Sequence, residues 1–519
     1  MITLINPNLV VLKNDVFTTG IVYMPIALCS LAANLSKNEI KFKMIDSFGL
    51  APNLVRQEQN FLLRGLDVDE VISLVPIDSK LIFLYAINLA SHKSVVEILL
   101  GLKKAYPHIP VVILENTQAV TAYSLRQIQE EFYEIGADFI LTGEAESRGL
   151  LLSQNLINGE GREKLKEIDG LGFKYQNTTH YLPPSKNYLD LDQLPIPSYE
   201  LLPLENYWAL KYAHGPFETK KYLPILTSRG CPYPCKFCVI PETNSLRWRS
   251  RSAKNIVDEM EFFYKNYGVS EFHIEDVDPT VSDQRTREFC HELIARKLPI
   301  IWKICAGTKV ETMRSEDTIE LMAKAGCRYI SISPETGSPR ILKSINKPFN
   351  LDHAIKLVAK MNKVGIHSQA CFVLGYPGEE DSDRILTKLM VKQLTKVGVD
   401  EIALFVITPV PGSEIFAVFK RDYTDYSQLN FSPTWREDYE KLNHFRIGLY
   451  RNFLWWKLIY QPFKMLVQPS KFLFKHFETK MEMTPYRALH TLFVTYFLPK
   501  LRKNRVFSKK YSALTGPKF

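Results

Sequence analysis

The chain has 519 residues, 46% of them hydrophobic, and a formal net charge of +9 at pH 7. This length and apolar content predict about three domains with substantial cores. The eight cysteines are spread thinly, the amino terminus lacks the pattern of a secretory signal, and no run of about 18 uncharged apolar residues occurs. These observations argue against a secreted, disulfide-rich or membrane-spanning protein, so we expect a cytoplasmic one.

Residues 1–150 alternate short apolar runs with amphipathic runs. The apolar runs are bounded by turn signals and are too short for helices, so they predict strands. Strands are expected at 2–5, 41–45, 80–85, 110–114 and 139–141, with helices at 25–35, 94–105 and 124–136. This alternation predicts an α/β, doubly wound, Rossmann-like (flavodoxin-like) domain over residues 1–150. Residues 151–220 are expected to be a linker, because Pro195, Pro197 and Pro203 favour an extended chain.

A short loop after the apolar run 222–226 holds Cys231, Cys235 and Cys238 in a C-x3-C-x2-C spacing. Three soft ligands at one point suit an iron–sulfur cluster or zinc. A structural zinc site needs four protein ligands, and no second C-x2-C or His-x3-His follows downstream. The spacing, with aromatic Phe237 just before the last cysteine, resembles the signature loop of the radical S-adenosylmethionine (AdoMet) enzymes.

The resemblance implies a specific set of cofactors. In that family a [4Fe-4S] cluster on three cysteines leaves one iron open, which chelates AdoMet and cleaves it to a 5'-deoxyadenosyl radical. Cys231, Cys235 and Cys238 are therefore expected to be the cluster ligands, and S-adenosylmethionine the cosubstrate. An electron donor such as flavodoxin or ferredoxin is implied as a partner.

Residues 221–418 carry six strand-like runs separated by helical ones. The strands are expected at 222–227, 271–275, 300–306, 328–333, 367–374 and 401–407, and the helices at 253–267, 283–297, 315–325, 351–364 and 382–397. Six such units are too few for an eight-stranded barrel, and they resemble the partial (βα)6 TIM-type barrel of the radical AdoMet family. Chemistry in parallel barrels lies at the carboxyl ends of the strands.

Polar residues follow three of these strands. Glu275 follows the second strand, Glu335 follows the fourth within Ser-Pro-Glu-Thr-Gly-Ser, and Gly375 follows the fifth within Gly-Tyr-Pro-Gly-Glu. The resemblance implies that Phe237, Glu275, Glu335 and Gly375 contact AdoMet, and a carboxylate suits ribose hydroxyls or an ammonium group. The alternatives are an acidic surface turn at Asp278, a helix cap or buried ion pair at Glu335, and a plain Pro-Gly turn after Gly375.

The first domain resembles the cobalamin-binding domain that precedes the barrel in one branch of the family, through its layout, Asp46, Ser91 and residues 142–144. Cobalamin is thus an implied cofactor, with two departures. Residues 46–49 read Asp-Ser-Phe-Gly and supply no axial histidine, and residues 115–118 read Glu-Asn-Thr-Gln where family members show two glycines. Since glycine permits close approach to a flat ligand, a domain that only shields the substrate is the alternative.

The resemblance implies a methyltransferase acting on an unactivated carbon of a small-molecule or lipid-like substrate. A cobalamin-independent cyclisation, coupling or rearrangement enzyme, an RNA-modifying methylthiotransferase and a non-catalytic binding protein stay open. The sequence identifies no acid, base or radical relay. Cys305, Cys327 and Cys371 lie on or beside barrel strands, where a buried structural cysteine is the commoner case.

Residues 419–519 are expected to form a helical carboxyl-terminal region. From Arg436 onward it carries 17 Lys or Arg against 5 Asp or Glu, interleaved with aromatic residues. Three interpretations compete: an apolar side that packs on the barrel, a surface that docks on an anionic membrane, and a nucleic-acid surface. Because nothing resembles a nucleic-acid module, no nucleic acid is expected as a partner.

Overall fold

The computed structural model describes residues 1–498 apart from 177, 186–188, 348, 420–422, 424 and 431. The strands are β1 Ile2–Asn6, β2 Leu9–Leu12, β3 Phe42–Asp46, β4 Val55–Gln57, β5 Phe61–Arg64, β6 Leu81–Ala86, β7 Val111–Glu115, β8 Phe139–Leu141, β9 Leu171–Tyr175, β10 Thr178–Tyr181, β11 Tyr222–Ile225, β12 Ser228–Arg229, β13 Arg249–Ser250, β14 Glu271–Ile274, β15 Ile301–Thr308, β16 Cys327–Glu335, β17 His367–Leu374 and β18 Glu401–Val406.

The α-helices are α1 Ile26–Lys37, α2 Ser47–Leu50, α3 Val68–Ser73, α4 His92–Ala105, α5 Leu125–Ile135, α6 Ala145–Asn158, α7 Arg162–Leu165, α8 Leu204–Leu210, α9 Ile240–Asn244, α10 Ala253–Tyr267, α11 Asp283–Arg296, α12 Glu316–Lys324, α13 Pro339–Ser344, α14 Leu351–Lys363, α15 Asp381–Val397, α16 Tyr439–Tyr460, α17 Pro462–Phe474 and α18 Lys480–Leu492. Short 3-10 turns lie at Leu89–Ser91, Leu191–Gln193, Tyr199–Leu201, Val310–Thr312, Glu414–Phe419 and Tyr426–Gln428, and a π turn at Phe493–Phe497 follows α18.

The first sheet has seven strands in the order β10-β9-β8-β7-β6-β1-β3. Strands β3, β1, β6, β7 and β8 are parallel, and β9 and β10 extend the sheet as antiparallel edge strands. Alternate residues of β6 face opposite sides, so Phe83 packs with α1 and α6 while Leu84 packs with α4 and α5. Helices on both faces explain why β6 is buried throughout, and the predicted doubly wound fold is confirmed.

The second sheet has six parallel strands in chain order, β11-β14-β15-β16-β17-β18. Helices α10, α11, α12, α14 and α15 connect them and share one apolar core with the sheet. Strands β11 and β18 stand at opposite edges and do not pair within the described residues. The predicted open, six-unit barrel is therefore confirmed.

The carboxyl-terminal helices contact the barrel unequally. Helix α16 packs on α15 and β18, and α18 buries one face that includes Met483 and Arg487. Helix α17 has no buried residue. Within the described ranges, no helix is both long enough and apolar enough to cross a membrane.

Candidate active site

A cavity of about 810 Å³ lies at the carboxyl ends of the strands of both sheets. One wall comes from the loops after β6 and β7 of the first sheet, which contribute residues 87–90 and 118–121. The opposite wall comes from the barrel strands, and residues of α16 and α18 complete the lining. Ligands of doubly wound sheets and of parallel barrels bind at such strand ends, so both folds direct their binding edge to one space.

The three cysteines of the C-x3-C-x2-C loop all line this cavity. The backbone N–H of Cys238 donates to the carbonyl of Cys235 at 3.1 Å, which turns the loop tightly. Burial raises the pKa of the Cys231 and Cys238 thiols to about 12. Buried thiols give up their protons only to a cation that stabilises the thiolates, so this donor set fits a metal cluster.

Arg229, directly before the cysteine loop, joins the loop to the first domain. Its guanidinium lies 2.6 Å from Glu146 and 3.3 Å from Glu144, and all three side chains are buried. On the other side of the loop, the Asn244 amide donates to the carbonyl of Thr117 at 2.7 Å. The cysteines are therefore held from both flanks by residues of the first domain.

Glu335 and Phe237, two of the predicted AdoMet contacts, belong to one cluster beside the cysteines. Lys347 Nζ lies 2.5 Å from Glu335 Oε1, and the hydroxyl of Tyr376 donates to Oε2 at 3.4 Å. The Phe237 ring packs edge-on against Tyr376, with centroids 5.6 Å apart. Glu335 adopts φ +65°, a left-handed conformation that is costly for a side-chain residue and is concentrated at functional sites.

Glu275, the third predicted AdoMet contact, lines a different part of the same cavity. His214 Nδ1 lies 2.6 Å from Glu275 Oε2, and the His214 ring packs on Tyr23 with centroids 4.7 Å apart. Lys480 of α18 donates to the carbonyl of Cys305 at 3.1 Å. Among the described residues, Glu275 forms no hydrogen bond with any member of the Glu335 cluster. The two carboxylates therefore lie in separate regions of the cavity.

Gly375, the fourth predicted contact, lies outside the residues that line the cavity. Its N–H donates to Glu379 Oε2 at 2.7 Å, and its carbonyl accepts from Arg436 at 3.1 Å. A role for Gly375 in AdoMet binding stays a prediction. Among the other acidic residues, Asp276 is committed to Thr227 and Ser228, whereas buried Asp278 lines the cavity.

Of the residues at 115–118 that depart from the cobalamin-binding pattern, Asn116 and Gln118 line the cavity, whereas Glu115 does not. Glu115 accepts from the backbone N–H groups of Leu125 at 3.0 Å and Gly143 at 2.8 Å, and it is absent from the lining. Burial raises the pKa of the Glu115 carboxyl to about 7. The Glu115 side chain turns into the fold, and the Gln118 side chain reaches the cysteine loop, where its Oε1 accepts from the backbone N–H of Gly230 at 3.4 Å.

Several cavity residues came from segments in which the sequence shows no motif. Tyr23 precedes α1, His214 lies in the predicted linker, and Lys480 begins α18. Cys305 and Cys371 line the cavity, and Cys327 does not. Isolated residues far apart in the chain carry no spacing signal, so only the fold brings them together.

Comparison with known proteins gives four similarities. Residues 225–391 match the model of the radical SAM superfamily. An uncharacterised methyltransferase of Pyrococcus horikoshii is 29% identical over 315 residues, which cover 59% of this chain and 63% of that protein. The radical S-adenosylmethionine methyltransferase TsrM of Kitasatospora setae, solved with tryptophan substrate and a SAM analogue, matches with a TM-score of 0.60 at 17% identity over 80% of this chain and 74% of that one. The cobalamin-dependent S-adenosylmethionine radical enzyme OxsB, solved with aqua-cobalamin, matches with a TM-score of 0.58 at 18% identity. That match covers 87% of this chain and 56% of the OxsB chain.

Proposed function

Because residues 225–391 match the model of the radical SAM superfamily, we propose that the chain is a cobalamin-dependent radical AdoMet methyltransferase of that superfamily. Its target is an unactivated carbon of a small-molecule or lipid-like substrate. One observation carries the proposal: the cysteine loop and the strand-end wall of the first sheet face each other across a single cavity. A methyl donor on that wall and AdoMet at the cysteines would both reach one substrate.

Each part of the site has residues suited to one cofactor. Cys231, Cys235 and Cys238 would hold the [4Fe-4S] cluster, with Glu335 and Lys347 beside them to receive the polar groups of AdoMet. Bound together, the cluster and AdoMet supply a radical that abstracts hydrogen, and cobalamin supplies the methyl group. The chain positions these groups and excludes water, because most of the cavity lining is apolar.

A lipid-like substrate accords with the surface around the cavity. Helices α16 and α17 expose Trp455, Phe463, Leu466 and Phe474, and Leu454 lies both on that surface and in the cavity lining. We propose that this apolar face docks on an anionic membrane, helped by the basic carboxyl-terminal region. Residues 499–519 of that region lie outside the described residues.

Reconstitution tests the main proposal. Anaerobically purified chain, supplied with iron, sulfide and cobalamin, should bind iron and form 5'-deoxyadenosine and S-adenosylhomocysteine with reduced flavodoxin or ferredoxin as electron donor. The variant C231A/C235A/C238A should lose iron and both products, while C327S, which changes a buried cysteine outside the cavity, should keep them. Deoxyadenosine without retained corrin would instead support a cobalamin-independent radical reaction.

Vesicle binding tests the membrane proposal. The full chain should co-sediment with vesicles that contain phosphatidylserine and far less with neutral ones. The double variant F463E/F474E should lose this binding, because both rings are more than four-fifths exposed on α17. I77E, at an even more exposed position of the first domain, is the control and should bind normally. Equal binding of F463E/F474E and the unmodified chain would contradict the proposal.

A further inference from the structure

A second group of metal-ligand side chains lies at the Glu275 end of the cavity. His273, Glu275 and Cys305 each place one ligand atom within 4.8 Å of the other two. They come from β14, the residue after it, and the neighbouring strand β15. Donor atoms of a tetrahedral zinc site are separated by about 3.3–3.8 Å, so small side-chain movements would bring all three to one ion.

His273 is oriented as a metal-binding histidine would be. Its Nε2 lies 2.9 Å from Glu271, which is held in turn by Lys303 at 2.8 Å. Its Nδ1 has no hydrogen-bond partner among the described residues, and the side chain is completely buried. A carboxylate on one ring nitrogen fixes the tautomer and leaves the lone pair of the other nitrogen free for a metal.

The backbone preserves the space beside these ligands. A Cβ added at Gly215 would lie 2.3 Å from Cys305 Sγ and 2.9 Å from His273 Nδ1. Any larger residue at 215 would therefore press on both donors, and glycine leaves them clear. A buried nitrogen without a hydrogen-bond partner costs free energy. The position of His273 Nδ1 beside the Cys305 thiol and the Glu275 carboxylate therefore indicates that all three bind one common partner.

We propose that His273, Glu275 and Cys305 bind one zinc ion, distinct from the iron–sulfur cluster. A nitrogen, a sulfur and a carboxylate oxygen form a donor set that suits zinc, and three protein ligands leave its fourth position open. Glu275 and Cys305 line the cavity, so that position faces the substrate space. The ion would take an oxygen donor of the substrate, such as a carboxylate, carbonyl or alcohol group.

Metal titration of the full-length chain without its cluster tests the proposal. The variant C231A/C235A/C238A, which cannot hold iron there, should bind one equivalent of Zn²⁺ in competition with a chromophoric chelator. Adding Cys305→Ser or His273→Gln should weaken this binding by at least about 100-fold, and Glu271→Gln by about 10- to 100-fold through misorientation of His273. Cys327→Ser is the matched control and should leave zinc affinity unchanged, since its thiol contacts the carbonyl of Tyr329 on β16.

Cobalt supplies a spectroscopic check on the same variant. Co²⁺ added to C231A/C235A/C238A should give a thiolate-to-cobalt charge-transfer band, which the further change Cys305→Ser abolishes and Cys327→Ser retains. The proposal would be overturned if C231A/C235A/C238A bound no stoichiometric zinc, or if neither Cys305→Ser nor His273→Gln affected its zinc and cobalt binding. Since iron uptake and deoxyadenosine formation are measured on separate samples, failure of the zinc site is distinguishable from failure of the proposed methyltransferase.

Discussion

The ion pair between Arg229 and Glu146 is expected to control both stability and cluster loading. Arg229→Met leaves Glu146 as the uncompensated charge, because Glu144 keeps Arg249 as a partner. Breaking a buried pair by removing one partner costs about 3–5 kcal/mol. The positive charge of Arg148 also helps to lower the pKa of the Glu146 carboxyl, so it would partly compensate Glu146 in the variant. We therefore expect a cost near the lower end of that range, about 3 kcal/mol.

Thermal unfolding of the iron-free chain provides the measurement. For a domain of about 150–250 residues, a loss of 1 kcal/mol in unfolding free energy lowers the midpoint temperature by about 2–4 °C. Arg229→Met should therefore lower the midpoint of the first transition by about 6–12 °C. Iron bound after reconstitution should also fall, since Arg229 adjoins the cysteine loop. The double variant R229M/E146L should recover to within about 1 kcal/mol, because an apolar pair replaces the charged one.

Arg56→Met is the matched control for this experiment. Arg56 pairs with Glu58 and Glu97, but its side chain is 39% exposed. A pair of that kind contributes about 0–1 kcal/mol. The reasoning would be refuted if Arg229→Met melted within about 2 °C of the unmodified chain, or if R229M/E146L were as unstable as the single variant.

Three further predictions follow from other contacts. Burial alone would lower the pKa of His367, but hydrogen bonds to Asp400 and Glu478 raise it from 6.5 to about 9. The stabilisation of the fold by protonated His367 is therefore complete below pH 6.5 and is lost as the pH rises through 9. His367→Gln should therefore lower the unfolding free energy by about 2–3 kcal/mol at pH 6 and have little effect at pH 10, as measured by urea unfolding at both pH values. Gly375→Ala should destabilise the chain and increase hydrogen exchange in α16, since φ is +82° and the new Cβ would meet α16 at 2.5 Å; unchanged exchange would contradict this. Glu335→Gln should weaken AdoMet binding by about 10-fold in calorimetric titration of the cluster-loaded chain, while iron content stays constant.

Much of the fold could be predicted because its elements leave periodic signals. The five parallel strands of the first sheet and the six of the barrel are apolar runs between amphipathic helices, and each was expected close to its observed position. The antiparallel sheet β2-β5-β4 was not predicted: its strands are short, and the local sequence does not reveal that they pair with one another. Strands β9 and β10 fall in the predicted linker, and their pairing depends on the edge of β8, which local sequence does not reveal.

The candidate site divides in the same way. The cysteines and the residues at strand ends, Glu275 and Glu335, could be placed because spacing and topology locate them. The partners that define their chemistry could not, since His214 and Lys347 are single residues whose relation to those carboxylates is purely three-dimensional. The predicted obstruction at Glu115 is absent for a related reason: sequence gives the residue type but not the direction of the side chain.

The carboxyl-terminal helices link the surface proposed to dock on a membrane with the cavity proposed to hold the substrate. Helix α18 places Lys480 beside Cys305 and Gln369 in the cavity, while Leu489 on the same helix is 57% exposed. A membrane that contacts the outer face of α16–α18 would therefore bear on a helix that forms part of the substrate chamber. Helix α17 buries no residue, whereas α18 buries Met483 and Arg487. Under the proposed membrane docking, a substrate would enter the cavity beside Leu454, which is exposed on α16 and also lines the cavity.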